Sequence, residues 1–505
     1  MQQRSQSPIP LKGLVVIATL LVPVLGTLCG SGSTAAAELQ AGAATACITP
    51  PLGEPIVGGF HPFPAEHIHD DLHARCLVLD DGETQLAVVI CDLLGIHRSV
   101  SDEARRLIAS ETGIPPQQVL IAATHTHSAT TALGGTGDER FAPLLEELSD
   151  YQAFVARRIA DGVRCAANLL RPAELAIGQV EAPEHVFNRR WFMRPGSMPE
   201  NPFGSADDLV KMNPPRGSAN LDRPAGPTDP TISFLAIREA EGRPLALLAT
   251  YSLHYVGGVP RGHVSADYFG VVCRELERRV DREPSDPPFV AMLANGTSGD
   301  INNINFREPA PRRQPYEQMR LVAEDVAVKL AKTAGGLTYS RDWPLAARYQ
   351  ELRVAARHPT EREASWAEES LPAADTPDAA KTLSEIYAER VQALAHQPEM
   401  LDVPLQVLAI GSARIGTMPC EIFSEIGLDF RRRGGGQPSF LVSLAHGYLG
   451  YLPTPRQHDL GGYETWPGTN RLDRDASDRM LDALVEMAST LVPAADASST
   501  SDKAP

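Results

Sequence analysis

Apolar runs that stop at polar, turn-forming residues alternate with segments of helical periodicity along much of the chain. The run "LAVVIC" at 86–91 predicts a buried strand, and in the next segment Ala104, Leu107 and Ile108 share one helical face. Gly113 supplies a helix stop, after which "QVLIAAT" predicts a second strand. This strand–helix–strand order predicts parallel pairing in a sheet covered by helices.

Five apolar runs end at polar residues that are able to bind or react. They lead into the pair His125 and His127, His254, the segment "GTSGDINN", Glu421, and a loop that contains Tyr451. In open α/β sheets ligands bind at the carboxyl ends of strands, so these residues are expected to share one rim. The predicted fold class is α/β, with a mixed, largely parallel sheet flanked by helices.

Two regions interrupt the alternation. Residues 193–230 are rich in Pro, Gly, Asn and Asp without any period, which is typical of a lid, a binding loop or disorder. Residues 359–400 predict an inserted pair of helices. Thr360 and Glu363 form a capping box for the first helix, and Thr376 caps the second with Pro377 at its first position.

Composition and charge narrow the classes of protein and partner. The 505 residues are 43% hydrophobic and 22% charged, as in globular proteins. A formal net charge of −17 argues against capture by nucleic acid or by an anionic membrane surface. We expect a small or uncharged partner.

The amino terminus has the pattern of a processing signal. Residues 1–37 combine a positive start, an apolar stretch and a small-residue cleavage site, so we expect a signal peptide that precedes Glu38. No later run is long and apolar enough to predict a transmembrane anchor in the mature chain. The prediction is an exported, soluble protein with one domain at 38–492 and a disordered tail at 493–505.

Six cysteines remain after the predicted cleavage, without a spacing typical of metal sites. A hairpin centred on the turn at 80–83 sets Cys76 opposite Ala87, so a direct bridge to Cys91 is not expected. Buried, small hydrophobic side chains are the simpler interpretation.

The His-x-His pair in "VLIAATHTHSATT" admits two interpretations. Neutral imidazole is the commonest protein metal ligand and titrates near neutral pH, which favours a metal or acid–base site. Side chains alternate along an extended segment, so His125 and His127 point the same way and could equally cap one face through hydrogen bonds. These two residues alone leave both alternatives open.

Taken together, the motifs resemble the catalytic domain of the neutral/alkaline, non-lysosomal ceramidase family. The landmarks occur in the family's order: "ATHTHSATT", "FNRRW", "YSLHYVGG", "VSADYFG", "GTSGDINN", "MPCEIF", "GYLGYLPT" and "GGYE". The likeness spans about 41–492 and does not include the family's C-terminal immunoglobulin-like domain.

The resemblance implies a zinc site and the groups around it. The positions that match the family's zinc ligands are His125, His254, Glu421 and Tyr451. His127 matches a histidine beside the metal that moves protons or holds substrate. Arg189 and Tyr463 match groups placed to bind the scissile carbonyl oxygen. Zinc bound in this way activates water and polarises a carbonyl group.

One departure bears on mechanism. Asn302 stands where the family carries a serine once proposed as a nucleophile, and Ser298 is more simply a turn residue. The resemblance therefore favours direct attack by activated water on an N-acyl bond, with ceramide or a ceramide-like lipid as the first candidate substrate. The alternatives are hydrolysis of another N-acyl compound or an ester, and a non-catalytic exported protein that binds a lipid or saccharide.

Overall fold

The computed structural model describes residues 38–130, 132–134, 144–281, 286–373, 376–377 and 380–491. The predicted signal peptide at 1–37 and the predicted tail at 493–505 lie outside the described residues. Within those ranges, no helix combines the length and apolarity needed to cross a bilayer.

An eight-stranded sheet forms the centre of the fold. Its strands in chain order are β1 (Gln40–Cys47), β2 (His73–Asp80), β3 (Gln85–Cys91), β4 (Val119–Ala123), β5 (Arg171–Glu181), β6 (Thr231–Glu239), β7 (Pro244–Tyr251) and β8 (Val290–Asn295). They lie side by side in the order β8-β7-β6-β5-β1-β2-β3-β4. Successive side chains point to opposite faces, so these largely apolar strands must be covered on both sides.

The pairing directions confirm a mixed sheet in an α/β fold, but fewer strand pairs are parallel than predicted. β3 pairs with β4 and β7 pairs with β8 in parallel, and each pair is a strand–helix–strand unit of the predicted kind. The other neighbours pair antiparallel. The sheet is therefore not largely parallel; short turns at 81–84 and 240–243 join two of the five antiparallel pairs directly.

A four-stranded sheet packs face to face on the first. It consists of β9 (Leu345–Ala355), β10 (Met400–Ile410), β11 (Ala413–Thr417) and β12 (Ser439–Val442). Leu408 and Ile415 of this sheet share one apolar core with Leu77 and Leu120 of the larger sheet. That core fixes the two sheets against each other.

Nine α-helices lie within the described residues. They are α1 (Arg98–Thr112), α2 (Asp150–Asn168), α3 (Asp267–Val280), α4 (Glu317–Ala334), α5 (Glu361–Ser370), α6 (Leu383–His396), α7 (Ser424–Arg433), α8 (Pro455–Asp459) and α9 (Ala476–Thr490). Helices α1 to α4 cover the outer face of the large sheet, and α7 and α9 cover the outer face of the small one. The layers thus run helix, sheet, sheet, helix.

The region 193–230 is more ordered than predicted. The short strands Arg190–Met193, Val210–Met212 and Leu221–Pro224 form a three-stranded antiparallel sheet. Trp191, Leu221 and Phe306 bury together behind it. Strands this short carry no readable alternation, so the prediction missed this small sheet, although most of the region lies outside strands.

The predicted insertion contains two helices, α5 and α6. The capping box of Thr360 and Glu363 is confirmed at the start of α5. The second helix starts later than predicted. Thr382 caps α6 through a reciprocal box with Glu385, so the assignment of Thr376 as the cap was wrong.

The cysteines within the described residues are free. All six within the described residues lack a disulfide partner, and Cys47 and Cys165 are exposed. Cys76 lies opposite Val89 rather than Ala87, because the turn spans residues 81–84 and pairs Asp80 with Gln85. The predicted register was wrong by two residues, although the absence of a direct bridge is confirmed.

Candidate active site

His125 stands just beyond the carboxyl end of β4, on a backbone turned out of the strand. Its φ of 72° lies in the left-handed region, which is costly for a residue with a side chain and is typical of functional positions. Its backbone N–H donates to Leu93 O at 2.9 Å. Its Nδ1 lies 2.7 Å from Leu94 O, which orients the ring with Nε2 towards the cavity described below.

His127 lies beside His125 and is held from two sides. Its Nδ1 is 2.6 Å from Gly58 O, and its ring stacks on Tyr255 with centroids 3.8 Å apart. A side chain at Gly58 would meet the His127 carbonyl oxygen at 2.1 Å, so the backbone approaches this closely only with glycine. Burial, followed by the neighbouring His125 ring, lowers the pKa of His127 to about 3.

His254 follows the end of β7, the strand that pairs in parallel with β8, and lines the same cavity as His125. Its Nδ1 lies 3.2 Å from Ser298 O. Asp267 accepts hydrogen bonds from the backbone N–H groups of Val256 and Gly257, which fixes the loop after His254. Burial lowers the pKa of His254 well below its usual range.

Glu421 and Tyr451 are partners in a short parallel ladder. The segments Glu421–Ile422 and Tyr451–Leu452 pair in register, which brings both side chains to one face. Tyr448 donates its hydroxyl to Glu421 Oε1 at 2.8 Å. Burial opposes ionisation of Glu421, but the neighbouring His125 ring and a hydrogen bond from Tyr451 lower its pKa to about 2.

Three imidazoles and one carboxylate converge on a common point. His125 Nε2 lies 3.1 Å from His127 Nε2 and 3.2 Å from Glu421 Oε2, and His254 Nε2 lies 3.9 Å from the same oxygen. His254 Nε2 and Glu421 Oε2 are buried without a hydrogen-bond partner in the described structure. The three histidines also form a group with the spacing that could hold a metal ion.

The hydrogen bonds decide which nitrogens carry protons. In each of the three histidines Nδ1 faces a backbone carbonyl, which can only accept, so Nδ1 is the protonated nitrogen of the neutral ring. The convergent Nε2 atoms then present lone pairs to one another and to a carboxylate. Ligand atoms of a tetrahedral zinc site with bonds of about 2.0–2.2 Å lie about 3.3–3.6 Å apart. The measured spacings of 3.1, 3.2 and 3.9 Å lie on either side of this range, so the donor set could hold a metal ion.

Arg189 and Tyr463 reach the same cavity. Arg189 Nε donates to Glu464 Oε1 at 2.9 Å, while Nη2 is buried with no hydrogen-bond partner among the described residues. The Tyr463 ring lies 5.7 Å from that of Tyr451. Glu464 also accepts from Arg190 Nη1 at 2.6 Å, so one fully buried carboxylate anchors two guanidinium groups.

Asn302 and Ser298 are set apart from this group. Asn302 Nδ2 donates to Asn213 Oδ1 at 3.1 Å, and of these two residues Asn213 lines the cavity. Ser298 lies behind His254, with Oγ 3.5 Å from its Nδ1. Seven of the eight site residues predicted from the sequence therefore meet at one cavity, and Asn302 reaches it through a neighbour.

The cavity encloses about 210 Å³ and is lined by residues from several strand ends and loops. It also includes residues that sequence reasoning missed, among them Tyr255, Tyr448, Asn213 and Arg390. Nothing in their spacing marks them, because each lies in a loop or an inserted helix and acts through contacts made only in the folded chain.

Known proteins place this chain in a family. A family model described as neutral/alkaline non-lysosomal ceramidase, N-terminal, matches residues 39–310, more than half of the chain. A ceramidase complexed with C2 is similar with a TM-score of 0.65 at 19% identity, covering 90% of this chain and 75% of that one. The neutral ceramidase from Pseudomonas aeruginosa is similar with a TM-score of 0.62 at 18% identity, covering 90% and 74%. The structural likeness shows a shared fold, and the sequence match confirms the resemblance: the chain belongs to the neutral/alkaline non-lysosomal ceramidase family.

Proposed function

We propose that this protein is an exported, zinc-dependent hydrolase of an N-acyl amide bond, with ceramide or a ceramide-like lipid as the first candidate substrate. One observation carries the proposal. Three imidazole lone pairs and the Glu421 carboxylate converge in a cavity that also presents an unpartnered nitrogen of Arg189. Export rests on the signal pattern at 1–37.

His125, His254, Glu421 and Tyr451 are the residues that we propose to hold zinc. The orphaned atoms His254 Nε2 and Glu421 Oε2 support this choice, as does the in-register pairing of Glu421 with Tyr451. A bound zinc ion supplies activation of water and polarisation of a carbonyl group. His127 Nε2 is close enough to be a fifth candidate, so its role needs a direct test.

His127 serves in this proposal as the group that moves protons. Its Nδ1 hydrogen bond to Gly58 O fixes the tautomer and leaves Nε2 open towards the cavity, where it can accept a proton and return it to the leaving amine. Stacking on Tyr255 keeps the ring from rotating away.

Arg189 and Tyr463 bind the carbonyl oxygen as negative charge develops on it. Arg189 Nη2 is a buried donor without an acceptor, which is the condition in which a charged hydrogen bond to substrate is strongest. Its other edge is locked by Glu464, so the donor needs no rearrangement when the charge forms.

Asn302 acts at a distance from the chemistry. An amide side chain is not a nucleophile, and its hydrogen bond positions Asn213 at the cavity wall. Asn302→Ala should therefore weaken activity without changing the mechanism. Steady-state kinetics of wild type and variant on the same substrate would measure the loss of activity.

The test combines metal content with hydrolysis of a panel of N-acyl lipids and esters. Purified protein should carry one zinc ion and lose activity on treatment with a strong chelator. His125→Ala and Glu421→Ala should bind little zinc, whereas His127→Ala should keep zinc and lose about a hundred- to ten-thousandfold in turnover. Cys165→Ser, at an exposed free cysteine, is the matched control. Zinc-free yet active wild type, or full zinc in the His125 variant, would overturn the proposal.

A further inference from the structure

Arg390 brings an unexplained positive charge to the cavity. Three lining residues carry a full charge, namely Arg189, Arg390 and Glu421. Arg189 is paired with Glu464, and Glu421 faces the histidines. Arg390 comes from α6 of the helical insertion and has no carboxylate within ion-pair distance in the part of the chain that the structure describes.

The donors of the Arg390 guanidinium are almost unused. Nη1 makes one long hydrogen bond, to Thr469 Oγ1 at 3.4 Å. Nε is buried with no acceptor among the described residues. A buried donor without an acceptor costs free energy, so a ligand that supplies an acceptor here would be favoured.

The surrounding residues hold this guanidinium in place. Its Cζ lies 5.2 Å from the ring centre of Phe60 and 5.0 Å from that of Tyr387. A side chain at Gly468 would meet Arg390 Cβ at 2.5 Å, so the backbone packs directly against the arginine stem. Contact with aromatic faces leaves the N–H edge free, and a fixed guanidinium edge matches the two oxygens of a carboxylate or phosphate.

The charge is also close to the groups assigned to the reaction. The Phe60 ring that contacts Arg390 lies 6.2 Å from the ring of Tyr463. A group bound at Arg390 is therefore one aromatic side chain away from the residues proposed to bind the scissile carbonyl. Ceramide can offer hydroxyl oxygens to this arginine, but it carries no negative charge to pair with it.

We propose that Arg390 is a specificity residue that binds an anionic group, carboxylate or phosphate, on the amine part of an N-acyl substrate. This rests on the proposed function in taking the cavity as the substrate site. Among the N-acyl substrates of the proposed function, those with an anionic amine part are thus preferred over neutral ones such as ceramide.

Binding of uncleavable ligands tests this directly. The probes are ketone isosteres of N-octanoylglycine, of N-octanoylethanolamine phosphate and of neutral N-octanoylethanolamine, in which a methylene replaces the amide nitrogen. Calorimetric titration should show at least one anionic probe binding wild type about ten- to a hundredfold more tightly than the neutral probe. Arg390→Met should abolish that preference, and Arg390→Lys should keep part of it.

Arg362→Met is the matched control, because Arg362 is exposed on α5 of the same insertion and does not line the cavity. It should keep the wild-type preference. Equal affinity of wild type for anionic and neutral probes overturns the inference. So does a preference that survives in Arg390→Met, which would mean capture of the anion by the metal centre.

The outcome separates from that of the proposed function. Binding of the isosteres needs no turnover, so an Arg390-dependent anion preference in a protein that hydrolyses no amide would contradict only the amidohydrolase proposal. Chelator-sensitive hydrolysis without such a preference would contradict only the anion site. The better of the two anionic probes identifies carboxylate or phosphate as the group recognised.

Discussion

Glu464 is the buried carboxylate behind the cavity, and removing its charge should destabilise the protein. Oε1 accepts from Arg189 Nε at 2.9 Å, and Oε2 accepts from Arg190 Nη1 at 2.6 Å. None of the three side chains is more than 4% exposed. Glu464→Gln keeps the shape but leaves two buried guanidinium groups without their carboxylate, and its NH₂ group faces one of them.

The expected loss is large against the total stability. Breaking a buried pair by neutralising one partner costs about 3–5 kcal/mol, and folded domains are stable by about 5–15 kcal/mol. Urea unfolding followed by tryptophan fluorescence measures the loss, since Trp191 and Trp466 adjoin this cluster in the chain. Adding Arg189→Met to the variant should recover part of the loss, because one unpaired charge is then removed.

An exposed ion pair provides the control. Arg433 and Asp482 lie 2.6 Å apart with side chains 43% and 65% exposed. Solvent screens such a pair, so Asp482→Asn should cost no more than about 1 kcal/mol. If Glu464→Gln costs as little as Asp482→Asn, burial does not make this pair important and the reasoning is refuted.

Three further predictions concern the site and its surroundings. Gly58→Ala should lower kcat/KM about a hundredfold by displacing His127, whose carbonyl oxygen would lie 2.1 Å from the new Cβ. Gly59→Ala, whose Cβ meets nothing within 4 Å, should lose far less, and equal rates would contradict the argument. Burial raises the pKa of Asp300 to about 6, so its contribution to stability is complete at low pH and is lost as the pH rises through 6. Between about pH 4 and 7 the free energy of unfolding of wild type should therefore fall relative to that of Asp300→Asn, by about 1.4 kcal/mol for each unit of the pKa difference. Urea midpoints that change with pH by the same amount in both proteins would count against this. Rapid-quench kinetics with an amide substrate should show no product burst, and a stoichiometric burst with acyl mass on Ser298 or another side chain would restore covalent catalysis.

The sequence predicts the position of several cavity-lining residues, because the end of a buried strand is visible as an apolar run that stops at polar residues. An apolar strand can carry His125 or His254 at its terminus only where the sheet opens to a ligand or to hydrogen-bond partners. Parallel strand–helix–strand units then bring such ends to one side of the sheet. Tyr451 and Arg189 came from the family resemblance alone, since a tyrosine or an arginine in a loop has no diagnostic spacing.

The remaining features depend on contacts that no local pattern encodes. The antiparallel direction of β2–β3 and β6–β7 follows from the short turns that join them, but the other antiparallel neighbours are far apart in the chain, and periodicity reports only that a strand is buried. The proton positions of the histidines depend on backbone carbonyls, such as Gly58 O and Ser298 O, that are distant in sequence. Glu464 and Arg390 matter because of what they touch, and their neighbours in the chain do not identify those contacts.

The helical insertion leaves and re-enters the small sheet at a single point, because Ala355 at the end of β9 pairs directly with Met400 at the start of β10. A short hairpin turn could close that gap without changing the register of either strand. The chain segment that supplies Arg390 is therefore separable from the strands that position the histidines. Replacing residues 356–399 by a short turn would therefore change one wall of the cavity while β4 and β7, the strands before His125 and His254, stay in place.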